Sequence, residues 1–196
     1  MSLKPLITSD RIECIDKDLG LWKVRGFFPE SLLQYISKSI SSKNFIENQF
    51  FSENKLSFFS ESTLDSNHLP QLQLILNDQN LLSDLNSHFS GLELNSCTFR
   101  VYKFKPDSGN EFTWHNDLSP GRKIGFSVNL SPLKFEGGVF KMRRVNDSNS
   151  CVSFTNNTRG DALFFRISAE LEHCLTSVTG MNERTACAGW FITKQP

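Results

Sequence analysis

LNSCTFRVYKF, residues 94–104, is the first of eight short runs in which apolar and polar residues alternate. This alternation predicts β-strands with one face towards a core and the other towards solvent. Segments rich in Gly, Asn, Asp and Pro separate the runs and predict turns. The other seven runs are EFTWHND, KIGFSVNLS, GVFKMRR, CVSFT, DALFFR, HCLTSVT and RTACAGWFIT. Eight strands at this spacing predict a jelly roll, because that fold packs two sheets with few open edges.

The chain before residue 94 has helical patterns instead. PESLLQYISKSI and LPQLQLILNDQNLLSDLNSHF repeat apolar residues on one helical face, and the second run is expected to break near residues 77–80. The polar stretch between them predicts irregular chain, and residues 52–68 are a candidate lid. We therefore predict one α+β, mainly β, domain over residues 1–196. In it, residues 1–93 form a mostly helical support, and residues 94–194 form a cupin-like double-stranded β-helix.

The composition is that of a globular domain and argues against several classes of protein. Phe is heavily used, at 18 residues, which suits a core built from strands. The formal net charge is zero without a basic block, so we predict neither a nucleic-acid nor a membrane partner. The first residues contain no apolar segment typical of a secretory signal. Five scattered cysteines without a CxxC pair predict a cytoplasmic protein, with no disulfide framework or structural zinc site.

One histidine has the spacing to a carboxylate that places both on one face of a strand. Of the four histidines, His115 alone is followed two residues later by an acid, Asp117. Residues i and i+2 of a strand point to the same face, so these two side chains are expected side by side. His173 begins another predicted strand and can supply a third ligand, because distant strands of a jelly roll lie together. Two His and one carboxylate are typical of non-haem Fe(II) oxygenases, although a lone His-Asp pair is more often a surface hydrogen bond.

The order of the surrounding motifs carries more weight than the His-x-Asp pair. The strand RVYKFKPD and Gly109 precede the pair, FSVNLS and FEGGVF follow it, and GDALFF precedes the distal histidine. This order resembles the prolyl-4-hydroxylase-like branch of the 2-oxoglutarate/Fe(II) dioxygenase superfamily over residues 98–192. The C-terminal residues that match its signature are His173, Val178, Gly180, Arg184, Trp190 and Phe191.

The resemblance assigns roles to individual residues. His115, Asp117 and His173 match the iron ligands. Arg184 matches the basic residue that binds the distal carboxylate of 2-oxoglutarate, for which a guanidinium fork is suited because it can donate two parallel hydrogen bonds. Here Arg184 lies one residue further from His173 than is usual in the family, so we expect a bulge before it.

Two further residues match contacts to 2-oxoglutarate, and each has an ordinary alternative. Tyr102 matches a strand tyrosine whose hydroxyl touches the co-substrate in the family, but it is equally explained as a core aromatic residue. Asn129 stands where some members place another polar contact, but an outward-facing strand residue is equally consistent with the pattern.

By resemblance, the chain is an Fe(II)- and 2-oxoglutarate-dependent dioxygenase that uses O2 and releases succinate and CO2, with ascorbate as reductant in vitro. The implied reaction is hydroxylation of an unactivated C–H bond of a small metabolite, amino acid or biosynthetic intermediate, free or carrier-bound. Radical halogenases of the superfamily lack the carboxylate that Asp117 supplies, so hydroxylation is favoured, while desaturation and cyclisation stay open.

Other functions remain open from the sequence. They are a peptidyl or protein hydroxylase of the prolyl-4-hydroxylase type, a cupin-like non-catalytic metal- or ligand-binding protein, and a zinc hydrolase, which lacks an obvious general base. Oligomeric state and substrate-binding residues are also open. Six cations of the β half are candidates to meet a substrate carboxylate: Arg100, Arg122, Lys123, Arg143, Arg144 and Arg166.

Overall fold

The structure is a computed structural model that describes residues 4–5, 7–51, 58–89 and 91–194. Its helices are α1 Glu30–Ile40, α2 Pro70–Leu76 and α3 Gln79–His88, with 3-10 turns at Ser9–Arg11 and Ser66–His68. Its strands are β1 Ile12–Asp16, β2 Leu21–Val24, β3 Ile46–Phe51, β4 Phe58–Asp65, β5 Leu94–Phe104, β6 Phe112–His115, β7 Arg122–Asn129, β8 Glu136–Gly137, β9 Phe140–Arg144, β10 Asp147–Phe154, β11 Ala162–Arg166, β12 Leu171–Leu175, β13 Val178–Thr179 and β14 Arg184–Thr193.

The strands form a jelly roll, as the sequence predicts. Eleven strands follow one antiparallel path, in the order β1-β2-β11-β7-β14-β5-β4-β6-β12-β9-β10, with β3 paired to β4. The path folds back on itself, because Phe165 on β11 and Phe140 on β9 meet with ring centroids 5.0 Å apart. The short strands β8 and β13 pair separately. Two layers therefore face each other, and the space between them holds the site described below.

The helices of the N-terminal part begin and end close to the predicted positions. Leu32, Leu33 and Ile36 of α1 are buried. The second predicted helix is broken, because the Asp78 carboxylate caps α3 by accepting hydrogen bonds from the backbone N–H groups of Asn80 and Leu81. Such a cap satisfies donors that a helix leaves unpaired at its start. None of the helices in the described ranges is long and apolar enough to cross a bilayer.

The expectation that residues 1–93 are mostly helical is wrong, because four strands lie there beside the three helices. Strand β4 occupies part of the stretch that was expected to be irregular. Its Glu61, Ser62 and Thr63 are buried although they are polar, because β4 is paired on both sides, with β3 and β5. The apolar alternation that reveals a strand is therefore missing from its sequence. Of the candidate lid, residues 52–57 lie outside the described residues, and that prediction remains untested.

Phenylalanine dominates the packing on both sides of the sheet. Phe27, Phe126, Phe164 and Phe191 are fully buried in the larger core, where the helices cover the outer face. The rings of Phe126 and Phe191 lie 5.0 Å apart between centroids, and Phe164 packs near both. A second core lies inside the roll. This use of phenylalanine agrees with the strand-rich core that the composition predicts.

Candidate metal centre

Two histidines from distant parts of the sequence face each other across paired strands. His115 on β6 is the direct partner of His173 on β12 in the antiparallel register. Their ring centroids are 4.3 Å apart. His173 lies in the middle of its strand rather than at the start, as the sequence suggested. The pairing of β6 with β12 thus brings together two residues that are 58 positions apart in the chain.

Asp117 completes the group, although not by the strand geometry that was expected. Strand β6 ends at His115, so Asp117 lies in the following loop. Its Oδ2 is 3.3 Å from His173 Nε2, and its Oδ1 is 3.8 Å from His115 Nε2. The three side chains offer one ligand atom each within 4.8 Å of one another, and all are partly or largely shielded from solvent. Among the described residues, this is the cluster of His, Cys, Asp and Glu able to hold a metal ion.

Local contacts set the tautomer of His115 and the orientation of His173. His115 Nδ1 lies 2.7 Å from the carbonyl oxygen of Thr113. Because a carbonyl oxygen only accepts, Nδ1 must carry the proton, and Nε2 keeps its lone pair towards Asp117. Burial, followed by the nearby His173, lowers the pKa of His115 to about 4. The ring of His173 stacks on Phe140, with centroids 5.4 Å apart, which fixes its orientation.

The Asp117 carboxylate is held in its charged form. Burial raises its pKa, but hydrogen bonds from His173 and Trp190 and the charges of both histidines bring the pKa below its ordinary value. A carboxylate that stays ionised is the form that binds a cation.

The geometry of these donors fits a first-row divalent metal. Metal–nitrogen bonds are about 2.0–2.1 Å long, so two ligand atoms at right angles around one ion are about 3 Å apart. The two carboxylate–imidazole distances of 3.3 and 3.8 Å are close to that value. Two imidazoles and one carboxylate leave one face of an octahedral ion open, and this donor set is typical of Fe(II) oxygenases.

Arg184 is a buried cation at the same cavity. Its side chain is largely covered by Phe104 and Phe135, and its Nη2 donates to Ser127 Oγ at 3.1 Å. Desolvation lowers its pKa to about 10. No carboxylate of the described residues forms an ion pair with it. A buried guanidinium normally needs an anionic partner, so the site is prepared for a carboxylate from a ligand.

The expected bulge before Arg184 is absent from the strand. Strand β14 keeps one register with β5 from Arg184 to Ile192. The turn at residues 180–183 contains the extra residue instead, and Met181 in it is almost fully exposed. A longer turn costs little, whereas a bulge would displace every later pair of the ladder.

The metal-ligand candidates and Arg184 open onto one cavity of about 380 Å³. Tyr102 lines it and is buried, which raises the pKa of its hydroxyl. Asn129 is not part of this lining, and its Oδ1 accepts from the backbone N–H of Ser131 at 2.8 Å. Sequence reasoning missed Ser127 and Glu61, which do line the cavity. Ser127 could have been found, because it lies two residues from Asn129 and opposite Ala188, another lining residue.

Trp114, which precedes His115, is not part of the cavity lining. Its ring lies against the guanidinium of Arg143, 3.9 Å from ring centroid to Cζ, and Arg143 is paired with Glu172 at 2.7 Å. A strand alternates its faces, so the neighbour of His115 points away from the cavity.

A jelly roll that gathers two imidazoles, a carboxylate and a buried arginine around one cavity defines a class of mononuclear metalloenzymes. Residues 97–192 match the sequence model of the 2OG-Fe(II) oxygenase superfamily. The chain belongs to this superfamily and is an oxygenase, which confirms the resemblance seen in the sequence. Fe(II), 2-oxoglutarate and O2 are the cofactor and co-substrates of the family. Comparison with curated proteins gives no match.

Solved structures share the fold at low identity. A 2OG-Fe(II) oxygenase family oxidoreductase from Burkholderia pseudomallei is 13% identical with a TM-score of 0.71, covering 91% of this chain and 88% of that one. A prolyl-4-hydroxylase from Pseudomonas putida is 16% identical, with a TM-score of 0.60 and coverages of 89% and 93%. A prolyl hydroxylase from Trichoplax adhaerens, in complex with a hypoxia inducible factor peptide fragment, is 17% identical, with a TM-score of 0.66 and coverages of 89% and 84%.

Proposed function

We propose that this oxygenase hydroxylates a C–H bond of a small molecule, with Fe(II) held by His115, Asp117 and His173 and 2-oxoglutarate anchored by Arg184. The observation that carries the proposal is the convergence of three ligand atoms within 4.8 Å, beside a cavity that also contains a buried arginine without an anionic partner. These are the two elements that the reaction needs from the protein: an open metal position and a carboxylate anchor.

Each residue has a separate task. His115 and His173 would each supply an imidazole nitrogen to the metal, and Asp117 would offset part of the charge of the bound ion. Arg184 orients the co-substrate from its far carboxylate, and Ser127 holds the guanidinium in place. Tyr102 lies on the same wall and can donate a hydrogen bond to a bound carboxylate. Phe104, Phe140 and other apolar side chains of the lining exclude water around the reacting atoms.

The bound iron supplies oxidative decarboxylation of 2-oxoglutarate to succinate and CO2, coupled to oxidation of the substrate. Two features support a small substrate and hydroxylation. The cavity of about 380 Å³ lies in the range of small-molecule sites. The Asp117 carboxylate would take the metal position that a halide needs, which favours hydroxylation over halogenation. All five cysteines are free thiols, which supports the cytoplasm as the compartment.

The proposal is tested with the purified protein, Fe(II), ascorbate and 2-oxoglutarate under air. We expect succinate, formed slowly without substrate and faster with a substrate that gains one oxygen atom by mass. His115→Ala and Asp117→Ala should abolish succinate formation and Fe(II) binding together, since each removes one ligand.

His88→Ala is the matched control, because His88 ends helix α3 away from the cavity and its loss should leave both signals unchanged. The proposal fails if wild type does not bind Fe(II) or 2-oxoglutarate in anaerobic calorimetry. A peptide that gains oxygen, in place of a small molecule, would identify a peptidyl hydroxylase.

A further inference from the structure

A second guanidinium lies at the other end of the metal site. The ring of Trp190 is 3.6 Å from Cζ of Arg122, so one face of the guanidinium is covered. Nη1 of Arg122 reaches the backbone carbonyl of Asp117 at 3.5 Å. Trp190 also donates to the Asp117 carboxylate. Arg122 is therefore tied to the residue that is proposed to bind iron, and its position is set by stacking rather than by an acid.

The cavity contains three arginines, and they differ in their partners. Arg100 is paired with Asp65 at 2.7 Å and with Glu61 at 3.7 Å, so its charge is already balanced. Arg184 is the proposed anchor of 2-oxoglutarate. Arg122 also lines the cavity, and no carboxylate of the described residues pairs with it. Of the six cations that the sequence offers for a substrate, it alone combines access to the cavity with an uncompensated charge.

Arg122 and Arg184 are too far apart to serve one small anion. Arg122 is the register partner of Ile192, eight positions along β14 from Arg184. At 3.4 Å per residue the two backbones are about 27 Å apart, so the side chains approach the cavity from opposite ends. The arginine beside the metal ligands is thus left for a second ligand.

We propose that Arg122 binds a carboxylate of the substrate, so that the substrate of this oxygenase is a small monocarboxylate. This inference rests on the proposed function, because it assigns 2-oxoglutarate to Arg184. With its face on Trp190, the guanidinium presents its edge, and a planar carboxylate accepts two parallel hydrogen bonds from such an edge. A single guanidinium in a mostly apolar wall balances one negative charge, which favours a carboxylate over a doubly charged phosphate.

The test uses matched pairs of acid and amide as probes: butyrate with butyramide and benzoate with benzamide. Full-length protein is loaded with Zn(II) and saturating 2-oxoglutarate, and binding is measured by ligand-observed NMR. We expect each acid to bind about tenfold or more tightly than its amide, because a charge-assisted hydrogen bond is lost in the amide. Arg122→Gln should reduce the acid to the level of its amide, and Arg122→Lys should give an intermediate value.

Arg144→Gln is the control, because Arg144 is exposed on β9 outside the cavity and should leave the preference for acids intact. Equal binding of acids and amides, or an Arg122→Gln variant that keeps the preference, overturns the inference. The inference is also overturned if 2-oxoglutarate displaces the acids, or if methyl phosphate binds more tightly than any acid. If 2-oxoglutarate does not bind but the acids still need Arg122 for binding, the proposed function fails while the carboxylate site at Arg122 is supported.

Discussion

Replacing Arg184 by Met should change ligand affinity and stability in opposite directions. Arg184 is 8% exposed, and its guanidinium makes one hydrogen bond to Ser127 and has no acidic partner among the described residues. Without co-substrate the protein therefore contains a desolvated charge that nothing balances. Methionine has a similar length, fills the apolar walls of Phe104 and Phe135, and carries no charge.

Burial of the Arg184 charge determines the size of the change in stability and of the change in affinity for 2-oxoglutarate. The pKa of Arg184 falls from its ordinary value near 12.5 to about 10 through desolvation, which corresponds to a penalty of about 3 kcal/mol. The lost hydrogen bond to Ser127 offsets about 1 kcal/mol of this, so the ligand-free variant should gain about 1–2 kcal/mol in free energy of unfolding. Removal of one partner of a buried, hydrogen-bonded charge pair costs about 2–5 kcal/mol, so 2-oxoglutarate should bind about 30- to 5000-fold more weakly.

Two measurements on the same samples distinguish an anchoring role of Arg184 from a structural one. Urea unfolding without ligands gives the free energy of unfolding, and anaerobic calorimetry with Zn(II) gives the Kd for 2-oxoglutarate. Arg143→Met is the matched control: Arg143 is already paired with Glu172 outside the cavity, so this variant should bind 2-oxoglutarate as wild type does. If Arg184→Met destabilises the ligand-free protein and leaves the Kd unchanged, Arg184 has a structural role and the anchoring argument is refuted.

Three other perturbations test the packing and charge of the site. Gly125→Ala places a Cβ against the ring of Phe165, so thermal unfolding should show a loss of about 1–3 kcal/mol in free energy of unfolding; an unchanged melting temperature would contradict this close approach. Trp190→Phe removes a hydrogen bond to Asp117, so metal titration should show about 10- to 100-fold weaker binding, and equal affinity would show that the bond is dispensable. Burial lowers the pKa of His115 to about 4, below its unfolded value near 6.5, so between these values the unfolded chain binds more protons. The free energy of unfolding of the metal-free protein should therefore fall by up to about 3 kcal/mol as the pH decreases through this range, and that of His115→Gln should fall by less. Denaturant unfolding at a series of pH values measures both.

Strand β5 was predictable because much of it buries one face and its side chains alternate accordingly. Strand β5 begins and ends as its sequence LNSCTFRVYKF indicates. Strand β4 was missed for the opposite reason. Its buried residues Glu61, Ser62 and Thr63 are polar, and they are stabilised by pairing with neighbouring strands rather than by apolar contacts. Alternation in the sequence indicates burial among apolar side chains, and it gives no signal where the buried residues of a strand are polar.

The members of the site were also predictable only in part. His115, Asp117 and His173 could be selected because the order of motifs around them is specific, and the structure brings the three together. The sequence could not predict that Asp117 lies in a loop rather than in strand β6, since the position at which β6 ends depends on its pairing with β12. Pairing partners of a strand are decided by the whole fold, so contacts such as Arg122 with Trp190 leave no local trace in the sequence.

The charges of the site indicate that ligand binding stabilises the fold. Asp117 is ionised and largely shielded from solvent, and Arg184 is charged and buried, yet the two have no ion pair with each other. Arg184 is an unfavourable charge until a carboxylate arrives, whereas the Asp117 charge is already stabilised by its hydrogen bonds. The metal ion and the carboxylate both bind the folded state and not the unfolded chain. Stabilisation by a ligand grows as RT ln(1 + [L]/Kd), or about 2.7 kcal/mol at a concentration of 100 times Kd. The metal and 2-oxoglutarate bind different charged residues, so each should raise the melting temperature and the two increases should both be seen when the ligands are added together. Arg184→Met should abolish the increase due to 2-oxoglutarate and leave the increase due to the metal.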